Sequence, residues 1–570
     1  MFSLENQLRK IVNLLPWVRS PIMLMRKVWR NRSYLGQIWR DLRDTRQATR
    51  FLREDSAAEK GATFNLYPLD DESIYSLKQM GFVAQALRLR GWKVQVLFRN
   101  RSMILGRLYF KAFGIKRFVY LDDYPLSRKE KIYCRKKVEE FLAMPLSLQN
   151  VKSWSFENCW IGPQIVATLS RIRFEGTIDF QRPEVRRELS RMLGPILEHV
   201  LQAIKCLSYN RADLALTIEA NYAQFGPLVD AAIAQGISVI QMIQPWKDDA
   251  LTFRRMTSAS RREHPSSVSQ ETLTALMKRP WTDREEQALN KIFQDRYNGR
   301  WFLQNRNQSS TRPYSRDELI RRFTLNPAKP IAVVFSQVLW DANLFYGKDL
   351  FEDAGEWFLE TVKAACRNSE LNWLIKLHPA NVWKRNYEDV TNDYAELVMV
   401  REEIGELPSH VKIIPADDDI STHSLFETID YGVTVRGTAG LELVCFGKNC
   451  VTAGTGRYSN LGFTLDSEDR EEYLSRLAKL HNESKMSDDQ ILRAKWHAYA
   501  AFVLRTWPMI SAQAEFRYLE RGRAPLDHNL KLTVTSLAEM DQNGDLRDWG
   551  DWAESGTVDY LRRDLAGQYT

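Results

Sequence analysis

The chain has 570 residues, 44% hydrophobic and 27% charged, an ordinary globular composition on a chain too long for a single core. Its formal net charge is +8, yet residues 1–50 alone hold eleven Lys or Arg against three acids. The remainder is close to neutral, which argues against a nucleic-acid partner and gives the N-terminal segment one local acidic partner instead.

That segment reads LRKIVNLLPWVRSPIMLMRKVWRNRSYLGQIWR, with Trp17, Trp29 and Trp39 spread among the basic residues. No run approaches the roughly 20 apolar residues that span a bilayer, and no small-residue cleavage site follows. A basic, Trp-bearing amphipathic segment suits the interface of an anionic membrane, and equally suits a helix packed on the body with a solvated basic face.

Next, ATFNLYPL (62–69) reads as a strand. DDESIYSLKQMGFVAQALRLRG follows as a helix that Asp70 or Asp71 could cap and Gly91 stops. WKVQVLF (92–98) is a second strand, so a strand–helix–strand unit opens a parallel sheet. ADLALTIEA (212–220), GPLVDAAIAQG (226–236) and ISVIQMI (237–243) repeat the pattern. Residues 256–328 turn polar, with helical stretches between SASRREHPSSVSQ and QNRNQSSTRPYS.

KPIAVVFSQVLW opens a second α/β unit. It continues through helix EWFLETVKAAC, strands LNWLIKLHP and VKIIPA, helix SLFETID, strand YGVTV and a closing helix SEDREEYLSRLAKLHNES. RAKWHAYAAFVLRTW reads as an amphipathic helix and AEMDQNGDLRDWGDWAESG as an acidic, turn-rich tail. The expected organisation is a basic segment (1–55), a first α/β domain (56–255), a linker or helical insert (256–328), a second α/β domain (329–485) and C-terminal helices and tail (486–570).

Chemistry concentrates in the second unit. VTVRGTAGLELVCFGKNCVTAGTGRYSNLGF carries six of the chain's 27 glycines. Strand, RGTAG turn and helix place Gly437, Thr438, Ala439 and Gly440 at the carboxyl edge of a parallel sheet, where ligands bind. The first N–H groups of that helix lack internal partners and present a positive dipole end. With the Thr438 hydroxyl and the Arg436 guanidinium beside them, phosphate is the natural guest, although a bare tight turn would use the same glycines. The order matches neither a P-loop nor a dinucleotide fingerprint.

In LIKLHPAN, Pro379 ends a strand and fixes His378 at the same edge, next to Lys376. Ser336, Gln337, Asp341 and Asn343 fall in a loop over that edge. His264–Pro265 reads as a turn in the polar linker. In the first unit Asp71 and Glu219 follow strands and are the candidate general bases or nucleophiles, with helix capping as the alternative role of Asp70 and Asp71. The six cysteines form no CxxC or zinc spacing, and Cys445 and Cys450 read as buried thiols in a reducing compartment.

KLHPAN, followed about 60 residues later by the glycine-rich stretch, resembles the capsule-polysaccharide biosynthesis glycosyltransferases, which include transferases of 3-deoxy-manno-octulosonic acid (Kdo). VLWDANLFYGKDLFEDAGEWFLETV is similar to the start of that family's C-terminal domain. The resemblance covers residues 330–470 and is loose over 60–250. It implies a GT-B architecture of two Rossmann-like domains facing a cleft. His378 and Thr438 would hold the donor phosphate, Gly437, Ala439 and Gly440 would offer backbone, and Glu442 would reach a ribose hydroxyl. It also implies a nucleotide-sugar donor, a glycan or lipid-linked acceptor, no cofactor and no metal, in keeping with the lack of a DxD motif. The cysteines suggest a cytoplasmic location, and the basic segment a peripheral one on an anionic inner membrane. Rival readings are a CDP-glycerol-type polyol-phosphate transferase, a nucleotide-sugar epimerase and a non-catalytic glycan- or nucleotide-binding subunit.

Overall fold

The computed structural model describes residues 34–54, 61–71, 73–298, 301–302, 311–341, 345–388, 393–517 and 526–562. The first 33 residues of the basic segment, and Asn343 of the cleft loop, lie outside them.

Six strands follow in the first part of the chain: β1 (Thr63–Tyr67), β2 (Lys93–Phe98), β3 (Arg117–Tyr120), β4 (Leu214–Thr217), β5 (Ser238–Ile243) and β6 (Ala250–Met256). β1 to β5 pair in parallel in the order 3-2-1-4-5, and β6 adds antiparallel to β5. Strand residues alternate between two cores. Phe64, Leu66, Leu214 and Leu216 enter one, and Tyr67 and Ala215 enter the other. A parallel sheet covered on both faces needs such near-continuous apolar strands.

The second sheet is built from β7 (Ile331–Phe335), β8 (Asn372–Lys376), β9 (Val411–Ile414), β10 (Tyr431–Thr434) and β11 (Asn449–Thr452). All its pairings are parallel, in the order β11-β10-β7-β8-β9. Counted within the unit this is again 3-2-1-4-5, so each sheet has a topological switch point beside its first strand. The fold is α/β with two Rossmann-like sheets, and helices Gln270–Met277, Asp283–Tyr297 and Arg316–Phe323 run between them.

Several local expectations are corrected. The helix after β1 breaks into Ile74–Val83 and Gln85–Arg88. Asp71 caps neither piece. Its carboxylate accepts from the backbone N–H groups of Leu105 (3.1 Å) and Gly106 (2.7 Å), at the start of helix Ile104–Ala112. The amphipathic run after residue 487 is helical only to Leu504, because Thr506–Pro508 leave it as β12 and pair antiparallel with β6. The acidic tail folds as helices Leu537–Asn543 and Asp545–Ser555, parted by Gly544 at φ 72°. A hairpin of β13 (Ala512–Phe516) and β14 (His528–Leu532) precedes them.

Helix Tyr34–Ala48, the described end of the basic segment, docks on the first unit through Tyr34, Ile38 and Leu42. Beneath it the buried Asp41 accepts from Lys78 (2.8 Å), Asn529 (2.9 Å) and Tyr109 (2.7 Å). Its outer face leaves Leu35 and Trp39 exposed among Arg40, Arg43 and Arg46. Among the described residues no helix is long and apolar enough to cross a membrane.

Candidate active site

The carboxyl ends of both sheets face one cavity of about 540 Å³. From the second sheet it is lined by Ser336 after β7, by Lys376 at the end of β8 and Leu377 to Pro379 after it, and by Arg436 to Ala439 after β10. Helix Thr438–Cys445 starts there, with Gly437 as an N-cap that offers no side chain to the first N–H groups. Those N–H groups and the Thr438 hydroxyl are left facing the cavity, the usual arrangement for an oxyanion.

The strand end at β8 adds two donors. The Nδ1 of His378 accepts from the Ala380 N–H at 3.1 Å, so in the neutral ring Nε2 carries the proton. Burial, with Lys376 adding to it, pulls the His378 pKa down to about 4, so the ring is a neutral donor near pH 7. Lys376 is 4% exposed, and its Nζ reaches only the Ile420 carbonyl, at 3.5 Å. Burial lowers its pKa to about 8. An anion in the cavity would give this ammonium the partner it lacks.

The opposite wall comes from the first sheet: Ile218 and Glu219 after β4, and Gln241 and Ile243 on β5. Oε1 of Glu219 accepts from the N–H groups of Ala220 and Asn221, both at 2.8 Å. Those two bonds fix the carboxylate of a residue that lines the cavity. Burial raises the Glu219 pKa, with Asp341 a smaller contribution in the same direction. The two walls touch where Tyr222 bonds Asp341 and Asn221 bonds Tyr346.

The cavity therefore gathers Glu219, Ser336, Lys376, His378, Arg436, Gly437, Thr438 and Ala439, and it does not gather Asp71, Gly440 or Glu442. Asp71 is spent on its helix cap, and burial pushes its pKa up to about 7. A Cβ at Gly440 would overlap the Tyr458 hydroxyl, the Thr434 methyl and the Cys450 sulfur, so glycine is needed there for strand–helix packing. Glu442 has no exposure and is bound by Arg296 and Tyr297, so it has no free oxygen to offer a ribose. Arg436 also has a partner, Asp349, and its Nε bonds the Thr455 carbonyl at 2.9 Å. Ser336 donates to the Gln337 carbonyl at 3.0 Å.

The chain also brings residues here that the sequence reading left out. Arg457, Arg296 and Tyr297 line the cavity. His264 and Pro265, read as a linker turn, line it as well, and the His264 N–H bonds the Gly456 carbonyl at 3.1 Å. The repeated His-Pro dipeptide was the available signal for that pair. Among the described residues no group of three or more His, Cys, Asp or Glu is placed to hold a metal ion.

Compared with known proteins, residues 253–501 match the family described as capsule polysaccharide biosynthesis protein. The match spans under half of the chain, and no curated protein sequence matches it. Among solved structures, a Thermosulfurimonas dismutans KpsC, a beta Kdo 2,4 transferase, is 13% identical, with a TM-score of 0.30 over 51% of this chain and 80% of its own. The UDP-GlcNAc 2-epimerase of Neisseria meningitidis, bound to UDP-GlcNAc, is 10% identical, with a TM-score of 0.24 over 77% and 95%. The glycosyltransferase SnogD of Streptomyces nogalater is 12% identical, with a TM-score of 0.20 over 78% and 95%. Scores this far under 0.5 assign the chain no substrate.

The capsule-biosynthesis stretch contains the whole cationic wall, from Arg296 through Lys376, His378 and the Thr438 turn to Arg457. Glu219 lies outside it, on a sheet whose first five strands the family match does not reach.

Proposed function

We propose that the protein is a glycosyltransferase of surface-polysaccharide assembly that uses a nucleotide-sugar donor. One observation carries this reading: a wall of anion-binding groups and a fixed, raised-pKa carboxylate face each other across a single cavity between two Rossmann-like sheets. The donor phosphate sits against the Thr438 and Ala439 N–H groups, the Thr438 hydroxyl, His378 Nε2 and Lys376. When the bond from anomeric carbon to phosphate oxygen breaks, negative charge grows on the leaving phosphate, and these preorganised donors stabilise it. Glu219 takes the proton of the acceptor hydroxyl as that oxygen attacks the anomeric carbon. In this reading the first unit, completed by β12 and the C-terminal helices, receives a glycan or lipid-linked acceptor, and the second holds the donor.

The basic N-terminal segment brings the enzyme to the inner face of an anionic membrane, where such acceptors lie. The outward Trp39 and arginines of helix Tyr34–Ala48 support this. Turnover of CMP-, CDP-, UDP- and GDP-linked donors, with and without a glycan acceptor and in the presence of EDTA, tests the reading. Sugar transfer from one donor, persisting in EDTA, is expected. Turnover of CDP-glycerol alone, or epimerisation without an acceptor, would replace it.

A further inference from the structure

Three arginines line the cavity, and two already have carboxylates: Arg296 pairs with Glu442, and Arg436 with Asp349. Arg457 differs. Its Nη1 donates to the Arg436 carbonyl at 3.3 Å, and its Nε is buried without a partner. Among the described residues no carboxylate lies within ion-pair distance of it. The guanidinium is held against the Trp246 ring, 5.3 Å from its centroid. A half-buried guanidinium with no carboxylate of its own, sharing only the more distant Glu442 with Arg296, is a cost to the fold. Its fork of N–H groups fits carboxylate or phosphate oxygens and little else as well.

Lys376, the other cation of the cavity without an ion pair, stands at the end of β8, whereas Arg457 follows β11. β8 and β11 are three places apart in the sheet, which is about 14 Å at the usual spacing of strands. The Thr438 turn at the end of β10 lies between them. The cavity thus has two cationic centres, one on each side of the helix N-terminus.

Resting on the glycosyltransferase reading, we propose that the donor carries two anionic groups, and that Arg457 binds the second and sets donor specificity. The first is the phosphate at Thr438, His378 and Lys376. The second is a further phosphate or the carboxylate of a sugar acid, both oxyanions that the same fork accepts.

Calorimetric titration of the full chain tests this. The ligands are CMP, UMP and GMP, their diphosphates CDP, UDP and GDP, and CMP-N-acetylneuraminate. The variants are Arg457→Gln and Arg457→Lys. The wild type should bind one diphosphate, or the CMP-linked sugar acid, at least tenfold tighter than the matching monophosphate. A gain with the diphosphate identifies a second phosphate, and a gain with the sugar acid identifies a carboxylate. Arg457→Gln should close the gap to within twofold, leave monophosphate affinity within twofold and leave the melting temperature without ligand no lower. Arg457→Lys, which keeps charge but loses the fork, should retain part of the gap. Equal wild-type affinity for all ligands of one base, a gap that survives Arg457→Gln, or an equal loss for mono- and diphosphates would overturn this inference while leaving the transferase reading intact. No binding of any nucleotide would overturn both.

Discussion

The hydroxyl of Tyr458 donates a 2.5 Å hydrogen bond to the carbonyl of Gly437. The tyrosine has no exposure, and its hydroxyl occupies the space that a side chain at Gly440 would need. Tyr458 and Gly440 together set the turn that presents the Thr438 and Ala439 N–H groups.

Removing that hydroxyl should therefore loosen the Gly437–Ala439 turn. Tyr458→Phe leaves a buried carbonyl without this donor, at a cost of about 1–2 kcal/mol. A lower melting temperature and a several-fold loss of nucleotide affinity are expected together. Unchanged affinity in a folded variant would show that the turn does not hold the phosphate.

Glu442 predicts stability and not binding. Glu442→Ala strands Arg296 and Tyr297 beside a buried void, which should cost about 3–5 kcal/mol. Thermal denaturation measures it. A near-neutral effect with lost nucleotide binding would return Glu442 to the ligand.

Lys376 opposes stability for the sake of the site. Its pKa near 8 lies below the ordinary 10.5, a penalty on the order of 3 kcal/mol for holding the charge at neutral pH. The folded state binds fewer protons than the unfolded state between about pH 8 and 10.5, so this contribution to stability grows as pH rises through that window. Lys376→Met should raise the melting temperature at pH 7 and weaken nucleotide binding. A lower melting temperature would mean that the ammonium is structurally required.

His378 acts at the acid end. With its folded pKa near 4 against an ordinary 6.5, stability is lost as pH falls from about 6.5 toward 4. His497, held near 3 by burial, adds to the same slope. His378→Gln should flatten the dependence of melting temperature on pH in this window. A slope identical to wild type would place the titration elsewhere.

Glu219→Gln should preserve the fold and nucleotide affinity while lowering transfer by about 10²–10⁴-fold. Product formation in single turnover separates this from weaker acceptor binding. Wild-type rates would remove Glu219 from proton transfer.

Much of the second unit was legible because its strands are apolar runs between glycine and proline stops. IAVVF, NWLIK and YGVT lie where the sequence placed them. That the Arg436–Ala439 turn lines the cavity was legible for the same reason, since its neighbours in space are neighbours in the chain. Arg457 was not, because Trp246 and Arg296 reach it from segments more than 150 residues away. β12 was hidden too: three residues at the end of a helical pattern carry no period, and only the open edge of β6 makes them a strand. Asp71 looked catalytic because the helix it caps begins 33 residues later.

The return of the chain through β12 has a mechanical meaning. The two units are joined at two crossings, the helical stretch from Met256 to Ile331 and the short step from Leu504 to Thr506. A single backbone cut in either connection would therefore leave the halves tethered by the other.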